Sequence, residues 1–216
     1  MVNILSNSNS IINQFIAELR DIETQKDSLR FRLNLERLGE IFAYEISKEL
    51  KYEVKEVTTS LGIANVPMLV EYPVLATILR AGLPFYKGFL NFYDKSENAF
   101  LSVYRKIHKD HSFSTQLDYS SSPDITDKVL ILSDVMIATG SSVVMAYKNL
   151  LSRGKPTHTH IVCVLASLEG VDHMKKHFSN YEVTIWAGAV DDELTAQSYI
   201  VPGLGDAGDL AFGRKG

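Results

Sequence analysis

A chain of 216 residues, 45% hydrophobic and 22% charged, holds enough apolar material for one sizeable core and is short for two ordinary domains, so a single domain is expected over residues 1–216. The formal charge of −4 and a pI near 5.9 exclude a general electrostatic attraction to nucleic acid or to an anionic membrane, so any phosphate must be held by a local site. The single cysteine, Cys163 in the run Ile161-Val162-Cys163-Val164-Leu165, excludes an intrachain disulfide and reads as a quiet core thiol.

Met1 to Ser10 is polar and lacks the basic start, apolar stretch and cleavage site of a secretory signal. With no apolar run near the roughly 20 residues that cross a bilayer, the cytoplasm is the expected compartment. Residues 1–50 are predicted to form an N-terminal helical arm, with Ser or Asn near residues 6 to 10 as caps. Leu35, Leu38, Ile41, Phe42 and Ile46 recur at helical spacing, giving a face to be buried against the domain or a partner subunit.

Beyond residue 50, short apolar runs alternate with amphipathic segments: Val74 to Leu79, Phe100 to Tyr104, Val129 to Ser133, His160 to Ala166 and Val183 to Ala187. This pattern predicts an α/β fold with a mainly parallel central sheet flanked by helices. The polar stretch 105–127, with a strand at Thr115 to Tyr119, is expected to be a mobile loop or hairpin of functional use.

Four segments carry candidate chemistry. The first, Asp134-Val135-Met136-Ile137-Ala138-Thr139-Gly140-Ser141-Ser142, follows the apolar strand as a tight loop and then opens a helix. Asp134 would project into the crevice at the carboxyl ends of the strands. Thr139, Ser141 and Ser142 supply hydroxyls, Gly140 admits a close backbone approach, and the helix start offers unpaired N–H groups to a phosphate. The segment is neither a P-loop nor a dinucleotide fingerprint, so ATP and NAD have little support.

The second segment ends a strand in Arg80-Ala81-Gly82, which directs a guanidinium toward the same crevice. In the third, Tyr104-Arg105-Lys106 opens the basic loop with His108, Lys109, Asp110 and His111. The fourth is Tyr199-Ile200-Val201-Pro202-Gly203-Leu204-Gly205-Asp206-Ala207-Gly208-Asp209, a sharply turned backbone whose N–H and C=O groups suit a flat heterocycle. Taken alone, each also fits a structural role: a capped turn, a surface salt bridge, a solvated loop, a terminal glycine-rich turn. His173 and His177, spaced i,i+4, are a weak metal signal.

Together and in this order, the four segments resemble the uracil phosphoribosyltransferase family from about Pro73 to the end of the chain, above all in the run from Tyr199 to Asp209 with Phe212-Gly213 after it. The resemblance implies a type I phosphoribosyltransferase core with a hood built from terminal segments. It implies transfer of the phosphoribosyl group of 5-phosphoribosyl 1-pyrophosphate (PRPP) to uracil, giving UMP, with Mg²⁺ accompanying the donor and no side chain assigned as its ligand. Arg80, Arg105, Asp134, Ala138, Thr139, Gly140, Ser141, Ser142 and Asp206 match the positions that hold PRPP, with Arg80, Arg105 and Asp134 as the catalytic set. Ile200, Gly205, Asp206 and Ala207 match the uracil strip. Uracil and PRPP are the implied partners, without nucleic acid or membrane, in a homo-oligomer (dimer or tetramer).

The family's loop usually has Pro after the aspartate and Gly before the last hydroxyl residue; Val135 and Ser141 stand there instead, with Ser141 expected at a position favouring positive φ. A phosphoribosyltransferase for another base is a competing reading, which Val135 opposes because purine-type relatives place a second acidic residue there. A non-catalytic pyrimidine-sensing regulator that binds RNA is another, opposed by the acidic pI.

Overall fold

The computed structural model describes residues 1–107 and 113–214, with the side chains of 105–107 and 113–115 left aside. The chain begins with a short strand, β1 (Val2–Ile4), and two helices, α1 (Ile11–Arg20) and α2 (Ser28–Ser47). Asp27 starts α2 by accepting hydrogen bonds from the amides of Leu29 and Arg30, satisfying two donors that the first turn leaves without helical partners. Leu35, Leu38, Phe42 and Ile46 of the predicted stripe lie on the buried face of α2, which Phe31 extends, while Ile41 is half-buried at its margin.

Strands β2 (Tyr52–Thr58) and β3 (Ile63–Leu69) form an antiparallel hairpin. After them come β4 (Val74–Leu79), α3 (Gly82–Phe92), β5 (Asn98–Ile107) and β6 (Phe113–Ser121). The rest of the core is β7 (Val129–Ile137), α4 (Ser141–Leu150), β8 (His158–Ser167), α5 (Leu168–His177) and β9 (Val183–Asp191). A small hairpin, β10 (Glu193–Leu194) with β11 (Ile200–Val201), and the helix α6 (Ala207–Phe212) follow.

The main sheet has the order β1-β9-β8-β7-β4-β5-β6, parallel throughout except where β5 meets β6. Its central strands are covered on both faces, which is why their sequences run continuously apolar. Alternate residues serve the two sides. Leu75, Ile131, Val162 and Val164 join the cluster built by α1, α2 and α3; Ala76, Leu130, Leu132, Ile161 and Cys163 join the one built by α4 and α5.

Helices α2 and α3 cross at two glycines. A Cβ on Gly39 would lie 2.1 Å from the Phe85 carbonyl, and one on Gly88 would lie 2.1 Å from the Glu36 carbonyl, so the backbones approach more closely than any side chain permits.

The mainly parallel sheet flanked by helices is the architecture expected. Additions that were not predicted are β1, which pairs with β9 through Val2 opposite Ile185, the hairpin of β2 and β3, the small hairpin of β10 and β11, and α6. Several boundaries change: the run Val183 to Ala187 continues to Asp191, and β5 and β8 extend past Phe100 to Tyr104 and His160 to Ala166 at both ends. The predicted strand Val129 to Ser133 continues to Ile137, placing Asp134 beside Cys163 of β8, because Val135 and Ile137 are both buried and extend the alternation that the strand begins. In the 105–127 segment, β5 and β6 are antiparallel with Arg105 opposite Thr115, while His108, Lys109, Asp110 and His111 lie outside the described residues.

Candidate active site

A cavity of about 870 Å³ opens at the carboxyl ends of β4 and β7, the edge where open α/β sheets present ligand sites. Arg80, Asp134, Ala138, Thr139, Gly140, Ser142, Ile200 and Asp206 all line it. Ala207 lines an adjoining recess that shares Arg80, Asp134 and Asp206. Ser141 and Gly205 line neither, and the Arg105 side chain is outside what the structure describes.

Asp134 lies within β7, between buried Ser133 and Val135, and accepts a hydrogen bond of 2.7 Å from the Val135 amide. Burial pushes its carboxyl up to about 7, against the pull of the Val135 and Met136 amides. It is therefore a carboxyl group whose charge a ligand can restore near neutrality.

The next residues make a cradle. Gly140 is left-handed, with φ of 78°, and precedes α4 without a side-chain cap among the described residues, so the positive end of the helix faces the cavity rim. Ser141 is the first residue of the helix and is not among the residues of positive φ, so the expectation of left-handed backbone there is corrected: Gly140 absorbs the turn. Thr139 and Ser141 share a hydroxyl hydrogen bond of 3.1 Å.

Helix α5 supports this loop from behind. Ser167 donates to the Ala138 carbonyl at 2.5 Å, and His173 Nδ1 lies 2.6 Å from the Thr139 carbonyl. Gly170 fits against the loop so closely that a Cβ would fall 2.3 Å from the Ala138 carbonyl. The His173 and His177 rings are 6.3 Å apart, and among the described residues no three His, Cys, Asp or Glu side chains gather to hold a metal ion; His173 serves the loop instead. The carboxylates that line the cavity, Asp118, Asp134 and Asp206, suit Mg²⁺ in its common mode, one or two carboxylates with substrate phosphates.

Arg80 follows β4 across a cis peptide from Leu79. Its Nη2 is 3.3 Å from Asp209 Oδ1 and 3.4 Å from the Gly213 carbonyl. Its Nε is buried and has no hydrogen-bond partner among the described residues, leaving a donor for an incoming acceptor. Asp206 caps α6 by accepting from the Asp209 amide at 3.0 Å, and Arg32 of α2 donates to the Ala211 carbonyl at 2.7 Å. The terminal segment is thus fastened over the cavity from two sides.

Tyr104 and Tyr199, which stand in the four candidate segments without an assigned role, and Asp118, Gln197 and Ser198, which stand in none, also line the cavity. The positive φ of Ser198 has no signature in a serine. Gln197 could have been found by its nearness to the run that starts at Tyr199.

A sequence profile described as uracil phosphoribosyltransferase matches residues 6–214. A uracil phosphoribosyltransferase of Porphyromonas gingivalis is 53% identical over 211 residues, covering 98% of this chain and 97% of that protein. One from Pyrococcus furiosus is 37% identical over 206 residues, covering 94% and 86%. The solved structure of a protein from Aquifex aeolicus superposes with a TM-score of 0.87 at 30% identity, covering 99% of this chain and 98% of that one. The chain belongs to the uracil phosphoribosyltransferase family.

Proposed function

We propose that this enzyme transfers the phosphoribosyl group of PRPP to uracil, giving UMP and pyrophosphate. The observation that carries the reading is the convergence of an anion cradle, a carboxyl group, an arginine with an unused donor and the turned terminal strip on one cavity, in a chain of this family.

Displacement at the anomeric carbon builds positive charge on the sugar and negative charge on the departing pyrophosphate, so holding the reactants in line and stabilising the leaving group supply the rate. The 138–142 loop is proposed to hold the 5-phosphate through hydroxyls and the α4 amides, and Asp134 to grip the ribose hydroxyls as the carboxylate. Arg80 and Arg105 are assigned to the pyrophosphate. Ile200, Gly205, Asp206 and Ala207 are assigned to uracil, read mainly through main-chain groups, with Asp206 also near the donor. Mg²⁺ arriving with the donor would neutralise pyrophosphate charge, and the carboxyl groups that line the cavity, Asp118, Asp134 and Asp206, are those that would help to hold it. The reading extends to a cytoplasmic homo-oligomer; exposed Val54, Leu61 and Ile63 on the β2–β3 hairpin support self-association.

The test is a panel of uracil, hypoxanthine, guanine and adenine with PRPP and Mg²⁺, with nucleotide product measured. Uracil is expected to react far faster than any purine. An equal or higher rate with a purine overturns the assignment of the strip.

A further inference from the structure

Arg20 is the last residue of α1, and Asp191 is the last residue of β9. Their side chains meet in a bidentate pair, Nη1 to Oδ2 at 2.7 Å and Nη2 to Oδ1 at 2.6 Å. Both also bind one glycine. Arg20 Nη1 donates to the Gly203 carbonyl at 2.9 Å, and the Gly203 amide donates to Asp191 Oδ2 at 2.9 Å. A single ion pair therefore takes both main-chain groups of Gly203, with Asp191 only 7% exposed.

Gly203 is not free to shift. Its φ is +57°, and a Cβ on it would lie 2.1 Å from the Ile200 carbonyl, so the glycine backs directly onto Ile200. Ile200 lines the cavity on its other side. The contacts thus run from the end of the N-terminal helix, through Gly203, to the wall against which the base is proposed to lie.

We infer that Arg20 and Asp191 are positioning residues for uracil, an inference that rests on the reading of the 200–207 strip given above. A site that recognises a base through its backbone has no rotamers with which to correct a misplaced donor or acceptor, so its accuracy depends on what holds that backbone. A buried ion pair is weak evidence of a stabilising role by itself. This pair is aimed at both polar groups of one residue in the turn, which is what fixing a main-chain reader requires. The N-terminal helix thereby reaches the base site without touching the base.

The experiment is steady-state kinetics of Arg20→Lys and Asp191→Asn, with uracil and PRPP varied separately and thermal melts taken in parallel. Lysine keeps the charge opposite Asp191 but cannot make the bidentate pair and the Gly203 bond together. Asparagine can still accept from the Gly203 amide but loses the charge that holds Arg20. Each variant is expected to raise the Michaelis constant for uracil about two- to tenfold, the equivalent of about one hydrogen bond, while the constant for PRPP stays unchanged and turnover changes by less than about twofold.

A folded variant with an unchanged constant for uracil, or with equal rises for both substrates, overturns the inference. If Asp191→Asn does not fold, Arg20→Lys decides alone, and loss of folding in both would show the pair to be structural and also overturn it. Failure of the parent reading is separate: the unaltered protein would then not convert uracil at all.

Discussion

Replacing Asp134 with asparagine should stabilise the free protein in mildly alkaline solution while impairing it as a catalyst. Burial raises the Asp134 carboxyl from 3.8 to about 7. A carboxyl whose pKa rises on folding favours the folded state only as the neutral acid. That contribution is fully present below pH 3.8 and is lost as the pH climbs toward 7, because the unfolded chain ionises first. At ~1.4 kcal/mol per pH unit, the gap between 3.8 and about 7 corresponds to ~4 kcal/mol. Asp134 also opens on the cavity, whose water screens the charge, so about half of that, ~2 kcal/mol, is the expected effect. Asparagine keeps the side chain's size and can still accept from the Val135 amide, but it does not titrate. The stability difference between the variant and the unaltered protein should therefore swing toward the variant by ~2 kcal/mol between pH 4 and pH 8, about 4–8 °C in melting temperature for a chain of this length. Paired thermal melts across that range measure it, since the other titrating groups cancel in the difference. At limiting PRPP the same variant should lose about tenfold to a hundredfold in rate, the value of a charged hydrogen bond to ribose. A difference that is flat with pH would refute the burial argument, and unchanged kinetics at limiting donor would remove Asp134 from the site.

Arg80→Ala should lower turnover at saturating substrates by about 10² to 10³, the usual cost of losing one preorganised donor to a developing anion, and Arg80→Lys should restore part of it; a folded Ala variant with full turnover and only a raised constant for PRPP would limit Arg80 to ground-state binding. Gly170→Ala puts a methyl group 2.3 Å from the Ala138 carbonyl and should cost about 1–3 kcal/mol in chemical denaturation, with a raised Michaelis constant for PRPP and little change for uracil. Gly88→Ala drives a methyl group into the Glu36 carbonyl at 2.1 Å; urea unfolding should show a loss of about 1–3 kcal/mol or more, without selectivity between the two substrates.

Much of the fold is legible because both faces of its central strands are buried. Val74 to Leu79 reads as a strand from its apolar run alone, and β4 has those bounds. The β2–β3 hairpin escapes the same reading. Its residues are mostly exposed, Glu53, Lys55 and Glu56 interrupt any apolar run, and no turn signal stronger than Ser60-Leu61-Gly62 joins the strands. Residues Val2–Ile4 are too few for a period to show. At the site, Asp134, Gly140 and Arg80 were readable because each follows an apolar run or precedes a helix, where local rules apply. The tie from Arg20 and Asp191 to Gly203 was not, since no local pattern relates an arginine at a helix end to a carboxylate many elements later. His173 shows the same limit: its spacing to His177 carries a metal pattern, while its partner, the Thr139 carbonyl, is set by how α5 packs.

The edge position of β1 bears on how the molecule is made. Val2 pairs with Ile185 and Ile4 with Ala187, so a strand translated well before β9 has no partner until β9 has emerged. At about 5–20 residues per second, that interval is roughly 10–40 s. Over the same period Ile12, Ile16 and Leu19 of α1, which pack into the core on the face that includes Trp186 of β9, lack part of their cover. The nascent chain thus carries an apolar helix face and an unpaired strand while β4, β7 and β8 are already available to pair. Closing the sheet at β1 is the step with the longest loop to draw in, and so the slowest contact for the chain to make.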